Sequence, residues 1–287
     1  MKAKDWLAFA ALSIAWGSSF LWIKIAVQEV GPFLLVSLRV LVGALGLLAV
    51  YIIQRPALPE KRATWITLIV VGVTNTAAPF VLISWGEVYI DSGVAAILNA
   101  SVPLFTTVLA HFMLSDDKMN WQRAVGLPLG FIGIVLIVAR DYVPGAQDQL
   151  LGQAAVLAAA VLYAVSAIYV RRGTEEVNPV VRSLVPLMAA DGLLWLTTPL
   201  VEAPLRWPQQ LDTWLAILWL GVVGTFLAYL IYFYLVHSIG PTRATMVTYT
   251  FPVVGVVLGV IFLNEVLDLN IVLGGSLVLG SIILVNK

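Results

Sequence analysis

The feature that most constrains this chain is its succession of apolar stretches, each about 20 residues long, the length a helix needs to cross roughly 30 Å of bilayer hydrocarbon. Charges, prolines and glycines divide the 287 residues into ten such stretches. They lie near 6–27, 32–53, 64–85, 93–114, 121–139, 152–170, 179–201, 211–236, 242–263 and 269–285. The expected fold class is all-α, a polytopic membrane protein with ten transmembrane helices. Only 11% of the residues are charged and 61% are hydrophobic, whereas a soluble domain carries about 25% charge. So few charges could not cover a water-soluble surface. The connections between stretches are too short to bury an extramembrane core.

The same composition removes whole classes of function. Sixteen basic and sixteen acidic residues cancel, which leaves no polyelectrolyte surface for nucleic acid. The chain has no cysteine and two histidines, so no thiolate metal site or iron–sulfur cluster is expected, and neither metal nor cofactor is called for. The sequence contains no Walker A loop, no H-E-x-x-H and no G-x-S-x-G, so enzyme chemistry is not expected. The expected partners are the lipid bilayer and a small-molecule substrate. Lys2 and Lys4 ahead of an apolar run look like the start of a signal peptide, but no A-x-A site closes the run, which reads as an uncleaved first helix.

Orientation follows from where the basic residues fall. One side collects Lys2, Lys4, Arg55, Lys61, Arg62, Lys118, Arg123, Arg171, Arg172, Arg182, Arg243 and Lys287, while the other holds Lys24, Arg140 and Arg206. That asymmetry places both termini in the cytoplasm. Arg39 is left inside the membrane.

Shifting the chain on itself by 149 positions aligns stretches three to five with eight to ten. Trp65 falls on Trp214, Gly72 on Gly221, Thr76 on Thr225, Pro103 on Pro252, Leu114 on Leu263 and Gly126 on Gly275. The expected organisation is a first five-helix repeat over 1–140, a linker over 141–151, and a second repeat over 152–287. Five is odd, so the second repeat would enter the membrane inverted. Inverted repeats mark secondary transporters with a site near the midplane.

Several ordered motifs sit on these stretches. The first half carries Trp16-Gly17-Ser18-Ser19, Pro32 with Arg39, Tyr89-x-x-Ser92-Gly93-x-Ala95-Ala96, Pro103, Leu114-Ser115-Asp116 and Gly126 with Gly133. The second half carries Pro241 with Ala244, Pro252, Leu263-Asn264-Glu265 and Gly275. Together they resemble the EamA-type branch of the drug/metabolite transporter superfamily across essentially the whole chain. Where members of that branch often carry Gly-Glu after the fourth span, this chain has Ser115-Asp116. The resemblance implies a ten-helix alternating-access carrier of the bacterial inner membrane, often an exporter of amino acids or other small metabolites. It also implies a span-two arginine, matched by Arg39, for which a structural or gating role is expected.

The candidate site comes from polar groups and helix breakers at mid-span. Proline inside a helix removes an N–H and displaces the carbonyl four residues earlier. Pro79, Pro103 and Pro252 would free the carbonyls of Asn75, Asn99 and Thr248, and are the candidate hinges. Ala228, the counterpart of Pro79, predicts no matching break in the eighth span. Ser18, Ser19, Asn75, Thr76, Asn99, Ser101, Ser166, Thr225, Thr245, Thr248 and Thr250 gather on the same stretches with several aromatics. Each alone reads as interhelical glue. As a set, Trp16, Ser19, Asn75, Trp85, Asn99, Tyr163, Thr225, Tyr229, Thr248 and Tyr249 suggest a pocket for a small amphipathic solute. Arg39 and Asp191 are the ionisable residues placed deepest. Asp191 reads as a partner for Arg39, as a carboxylate for a substrate amine or a proton, or as a polar residue facing a wet cavity. Lys24 is expected to snorkel to the headgroups, and His111 to sit at an interface. Gly126-x-x-x-Gly130, Gly255-x-x-x-Gly259 and Ser276-x-x-x-Gly280 allow close helix contact, with packing inside one chain favoured over a homodimer face.

The expected function is therefore a carrier, without ATP, for a small amphipathic metabolite such as an amino acid. A lipid or lipid-linked translocase on the same scaffold is the alternative, and an intramembrane enzyme fits less well.

Overall fold

The computed structural model describes residues 2–114, 119–142, 144–174, 176–244 and 246–285. These residues form helices and connecting turns, with no strand among them. Eight helices are long and apolar enough to cross a membrane: α1 Ala3–Ala26, α2 Pro32–Gln54, α3 Arg62–Tyr89, α4 Ser92–Met113, α5 Trp121–Arg140, α6 Gln147–Gly173, α7 Pro179–Val201 and α8 Leu211–Ile239. After a single turn at Pro241–Ala244 come two shorter apolar helices, α9 Val247–Leu263 and α10 Leu269–Val285.

The helix ends explain why the bundle closes as it does. A helix start leaves backbone N–H groups without intrahelical partners. At three starts a glutamate from a distant segment supplies them. Glu202 accepts from Phe33 N (2.8 Å) and Leu34 N (3.0 Å) at α2. Glu265 accepts from Ser92 N (2.7 Å) and Gly93 N (2.9 Å) at α4. Glu29 accepts from Gln209 N (2.7 Å) and Gln210 N (3.1 Å) ahead of α8. The second of these depends on local backbone geometry. Asn264 ends α9 in the left-handed region at φ 57°, and the reversal turns Glu265 back onto Gly259, where an added Cβ would lie 2.3 Å from its carboxylate.

Small residues set the closest seams. A Cβ on Gly17 would lie 2.5 Å from Val254 Cβ, so α1 and α9 touch nearly backbone to backbone. Gly126 and Gly130 of α5 lie against Ser281 of α10, and Gly255 lies against Ala96 of α4. Those two motifs pack within the chain, whereas Gly280 has nothing within 4 Å.

Several boundaries differ from the sequence expectation. The third helix continues past residue 85 to Tyr89, because Glu87 does not end it but folds inward. The fourth breaks at Ala100 and Ser101, one turn ahead of Pro103. The sixth begins at Gln147, inside the expected linker, since a polar first turn can project from an apolar helix. Pro241 and Thr242 form a separate turn ahead of α9. The eighth helix was expected to run unbroken at the position matching Pro79. Instead it carries a π-helical stretch, Trp219–Leu227, as α3 does at Val73–Ala77. No proline is needed there, because Gly221 and Gly224 let α2 and α1 press against the widened turns. Ser115, Asp116, Lys118, Thr245 and Lys287 lie outside the described residues.

Candidate functional site

A cavity of about 360 Å³ lies among α1, α2, α3, α4, α6, α8 and α9. Its position follows from the irregular turns. The π segment of α3 presents Asn75, that of α8 presents Gly224 with Tyr229 just beyond it, and the break in α4 presents Asn99, Ala100 and Pro103. A π turn widens the helix and leaves carbonyls less tightly held, which is why such turns recur at functional sites.

Trp16, Ser19, Asn75, Asn99, Tyr163, Tyr229 and Thr248 from the sequence-derived set line this cavity together. Trp85, Thr225 and Tyr249 do not. Trp85 lies 5.0 Å from Tyr89, edge to face, one turn along the same helix. The Thr225 hydroxyl donates back to Leu220 O (2.8 Å) inside the π segment. Tyr249 packs against the apolar core. Among the hinges, Pro103 lines the cavity. Pro79 stands where the π segment of α3 returns to α-helix, and α9 runs through Pro252 without interruption.

Trp16, Phe20, Phe80, Tyr163, Tyr229, Tyr232 and Phe251 give the walls their aromatic surface. Trp16 meets Tyr232 at 5.7 Å between ring centroids, and Phe20 meets Phe251 at 6.0 Å. Nearby polar side chains are largely satisfied: Ser19 donates to Ala15 O (3.0 Å), and Trp219 Nε1 donates to Ser18 Oγ (2.9 Å). Two polar groups of the lining have no partner among the described residues. Asn99 Oδ1 is buried without a hydrogen-bond partner, and so is Arg39 Nε.

Among the described residues that line the cavity, Arg39 is the one charge. It is 5% exposed, and its guanidinium carbon sits 4.0 Å from the centre of the Phe80 ring. Tyr163 and Tyr229 are its other close electrostatic neighbours, followed by Glu87. Among the described residues it forms no ion pair, so the pairing with Asp191, one of the three readings of that residue, is absent. Asp191 lies on α7, off the cavity, within reach of Trp195 one turn further along. Helix geometry explains the difference: α7 packs its apolar stripe on α2 and leaves Asp191 partly buried beside it, with Oδ1 buried and without a hydrogen-bond partner among the described residues. Lys24 also departs from expectation. It turns inward, and Nζ donates to Glu87 O (2.6 Å) and Ile90 O (2.8 Å), closing the carbonyl end of α3. His111 Nδ1 accepts from Met119 N (3.1 Å), a local contact between the end of α4 and the segment before α5.

One residue the sequence reading passed over is Glu87, which is 0% exposed with neither carboxylate oxygen partnered among the described residues. A lone carboxylate in the stretch from Trp65 to Ile90, which holds no other charge, was the available signal. Ending the span at residue 85 hid it.

An apolar helical bundle that wraps an aromatic cavity with one arginine is the build of a polytopic membrane protein that handles a small molecule. The chain belongs to the EamA-like transporter family, whose model matches residues 4–139 and 150–287, and it is accordingly a membrane transporter. It is 25% identical over 277 residues to the uncharacterized transporter YoaV of Bacillus subtilis (strain 168), covering 96% of this chain and 94% of that protein. It is 30% identical over 288 residues to an uncharacterized transporter of Archaeoglobus fulgidus, covering 99% of each. The uncharacterized inner membrane transporter YedA of Escherichia coli (strain K12) is 29% identical over 258 residues, with 88% of this chain and 80% of YedA covered. A solved crystal structure shares the fold at a TM-score of 0.69 and 20% identity, covering 99% of this chain and 98% of its own.

Proposed function

We propose that this protein is a secondary alternating-access carrier that exports a small amphipathic metabolite bearing one carboxylate, with an amino acid as the leading class. In this reading all ten apolar helices cross the bilayer of a bacterial inner membrane with both termini in the cytoplasm. The two halves, 1–140 and 152–287, are inverted repeats around the cavity.

The observation that carries the reading is Arg39. A buried guanidinium keeps its charge, and its planar fork matches a carboxylate. Here it faces an aromatic cavity of about 360 Å³, within the range that holds small ligands, with no acidic partner of its own among the described residues. A solute carboxylate would complete it, while Trp16, Phe20 and Phe251 take the apolar part and Asn75 and Asn99 the remaining polar group. Solutes with several phosphates fit poorly, since one arginine cannot neutralise them.

The test is counterflow in reconstituted vesicles loaded with mixed isotopic amino acids and read by mass spectrometry. Each transported amino acid is compared with its carboxamide. Exchange of the acid and not the amide supports the reading. Equal exchange of both overturns the role of Arg39, and flux that follows acyl-chain length in added lipids instead favours a lipid translocase.

A further inference from the structure

Phe80, Ile83, Ser84 and Glu87 follow the i, i+3, i+4, i+7 spacing of one helix face. Phe80 and Ile83 line the cavity. One turn further, about 6 Å along the axis, the stripe ends in polar atoms that no described residue satisfies. Ser84 Oγ, Glu87 Oε1 and Glu87 Oε2 are buried without a hydrogen-bond partner, and so is Ser92 Oγ at the start of α4. An ionised carboxylate in so dry a place, with no donor on either oxygen, is far costlier than the neutral acid.

We propose that Glu87 is an exchangeable proton site at the end of the transport cavity, and that its protonation drives the carrier; this rests on the carrier reading above. The charges that Glu87 senses are Lys24 on α1, Glu265 after α9 and Arg39 on α2. On helix α6, Gly152 and Val156 are the groups nearest a Cβ built at the neighbouring Gly86. A metal ion is a poor occupant. The Lys24 ammonium already lies 2.6 Å from the Glu87 carbonyl oxygen, and no cluster of three metal-ligating side chains exists among the described residues.

The lysine also supplies the linkage. With Glu87 neutral, Lys24 donates to the carbonyls of Glu87 and Ile90 and ties α1 to the end of α3. When the acid gives its proton to water, leaving carboxylate and hydronium, the ammonium is drawn from those carbonyls to the new charge. The seam between α1 and α3 then loses its tie. Uptake of a proton from water on the other side restores it.

Infrared difference spectroscopy of the full-length protein in nanodiscs, titrated with pH, tests the site directly. The expected result is a protonated-carboxyl band at neutral pH that is lost in Glu87→Gln and kept in Asp191→Asn. Its absence from the wild type, or its persistence in Glu87→Gln, overturns the proposal. Should Glu87→Gln fail to fold, wild-type protein is treated with dicyclohexylcarbodiimide, which modifies protonated buried carboxyls. Labelling of Glu87 that declines at alkaline pH supports the site, and no labelling there overturns it. Vesicles loaded with mixed isotopic amino acids then test the coupling. A gradient of about one pH unit across a one-proton antiporter sustains about tenfold accumulation. Glu87→Gln should retain exchange and lose that accumulation; an unchanged gradient dependence overturns the coupling. If wild type moves no amino acid, the substrate class fails, while the infrared band still decides Glu87.

Discussion

Arg39 lies against the face of Phe80, its guanidinium carbon 4.0 Å from the ring centre. The ring holds the charge by a cation–π contact without using any of its N–H donors. That leaves the fork available on the cavity side. Replacing Arg39 with Gln should remove charge-assisted hydrogen bonds of roughly 1.5–3 kcal/mol. The half-saturation concentration for the transported amino acid would rise about ten- to a hundredfold, read in the counterflow assay. An unchanged value would remove Arg39 from substrate contact.

The α1–α9 seam sets a sharp steric limit. Gly17→Ala would bring a methyl group to 2.5 Å from Val254 Cβ and 2.8 Å from Phe251 O. Overpacking of this kind costs roughly 1–3 kcal/mol, so the thermal midpoint of the solubilised protein should fall. Gly280→Ala is the internal control, since an added Cβ there meets nothing within 4 Å among the described residues, and with alanine favoured over glycine inside a helix its midpoint should not fall.

Glu202 caps a helix more than 160 residues earlier in the chain, through the amides of Phe33 and Leu34. Glu202→Ala should cost about 0.5–2 kcal/mol, as other N-cap losses do. Hydrogen exchange at the Phe33 and Leu34 amides should quicken before exchange elsewhere in α2. If those amides kept their protection, the cap would not be holding the helix start.

Glu29 gives a pH signature outside the spans. A hydrogen bond from the Thr213 hydroxyl holds its carboxyl below the ordinary glutamate value; burial opposes it, and the Gln209 and Gln210 amides add to the lowering. The unfolded chain therefore binds this proton more tightly than the folded one. The stabilisation is present above the unfolded value and is lost as pH falls through the folded value. Thermal melts across the acid range should show wild type losing stability toward low pH more steeply than Glu29→Gln.

The cavity was legible in outline because its polar residues interrupt apolar stretches, where each has no reason to be unless it meets a partner or a ligand. Trp16, Asn75, Asn99, Tyr163 and Tyr229 stood out on that ground and meet around one cavity. Trp85, Thr225 and Tyr249 stood out equally, yet one turn of helical phase points each elsewhere. Periodicity within a helix fixes which residues share a face. It does not fix which neighbour that face meets. For the same reason Asp191 and Arg39 sit at compatible depths in the sequence and are not paired in the fold.

The sequence by itself determined the apolar helices and the family, because lipid demands long apolar segments with internally satisfied backbones, and that demand is local. The tertiary structure decided where charge resides. Glu29, Glu202 and Glu265 became caps for helices far along the chain, Lys24 a clasp on α3, Arg39 the charge of the cavity and Glu87 an unpartnered acid beside it. Each role depends on a group supplied by another helix. The free energy of a buried charge is set by the atoms packed around it, and no sequence window contains them.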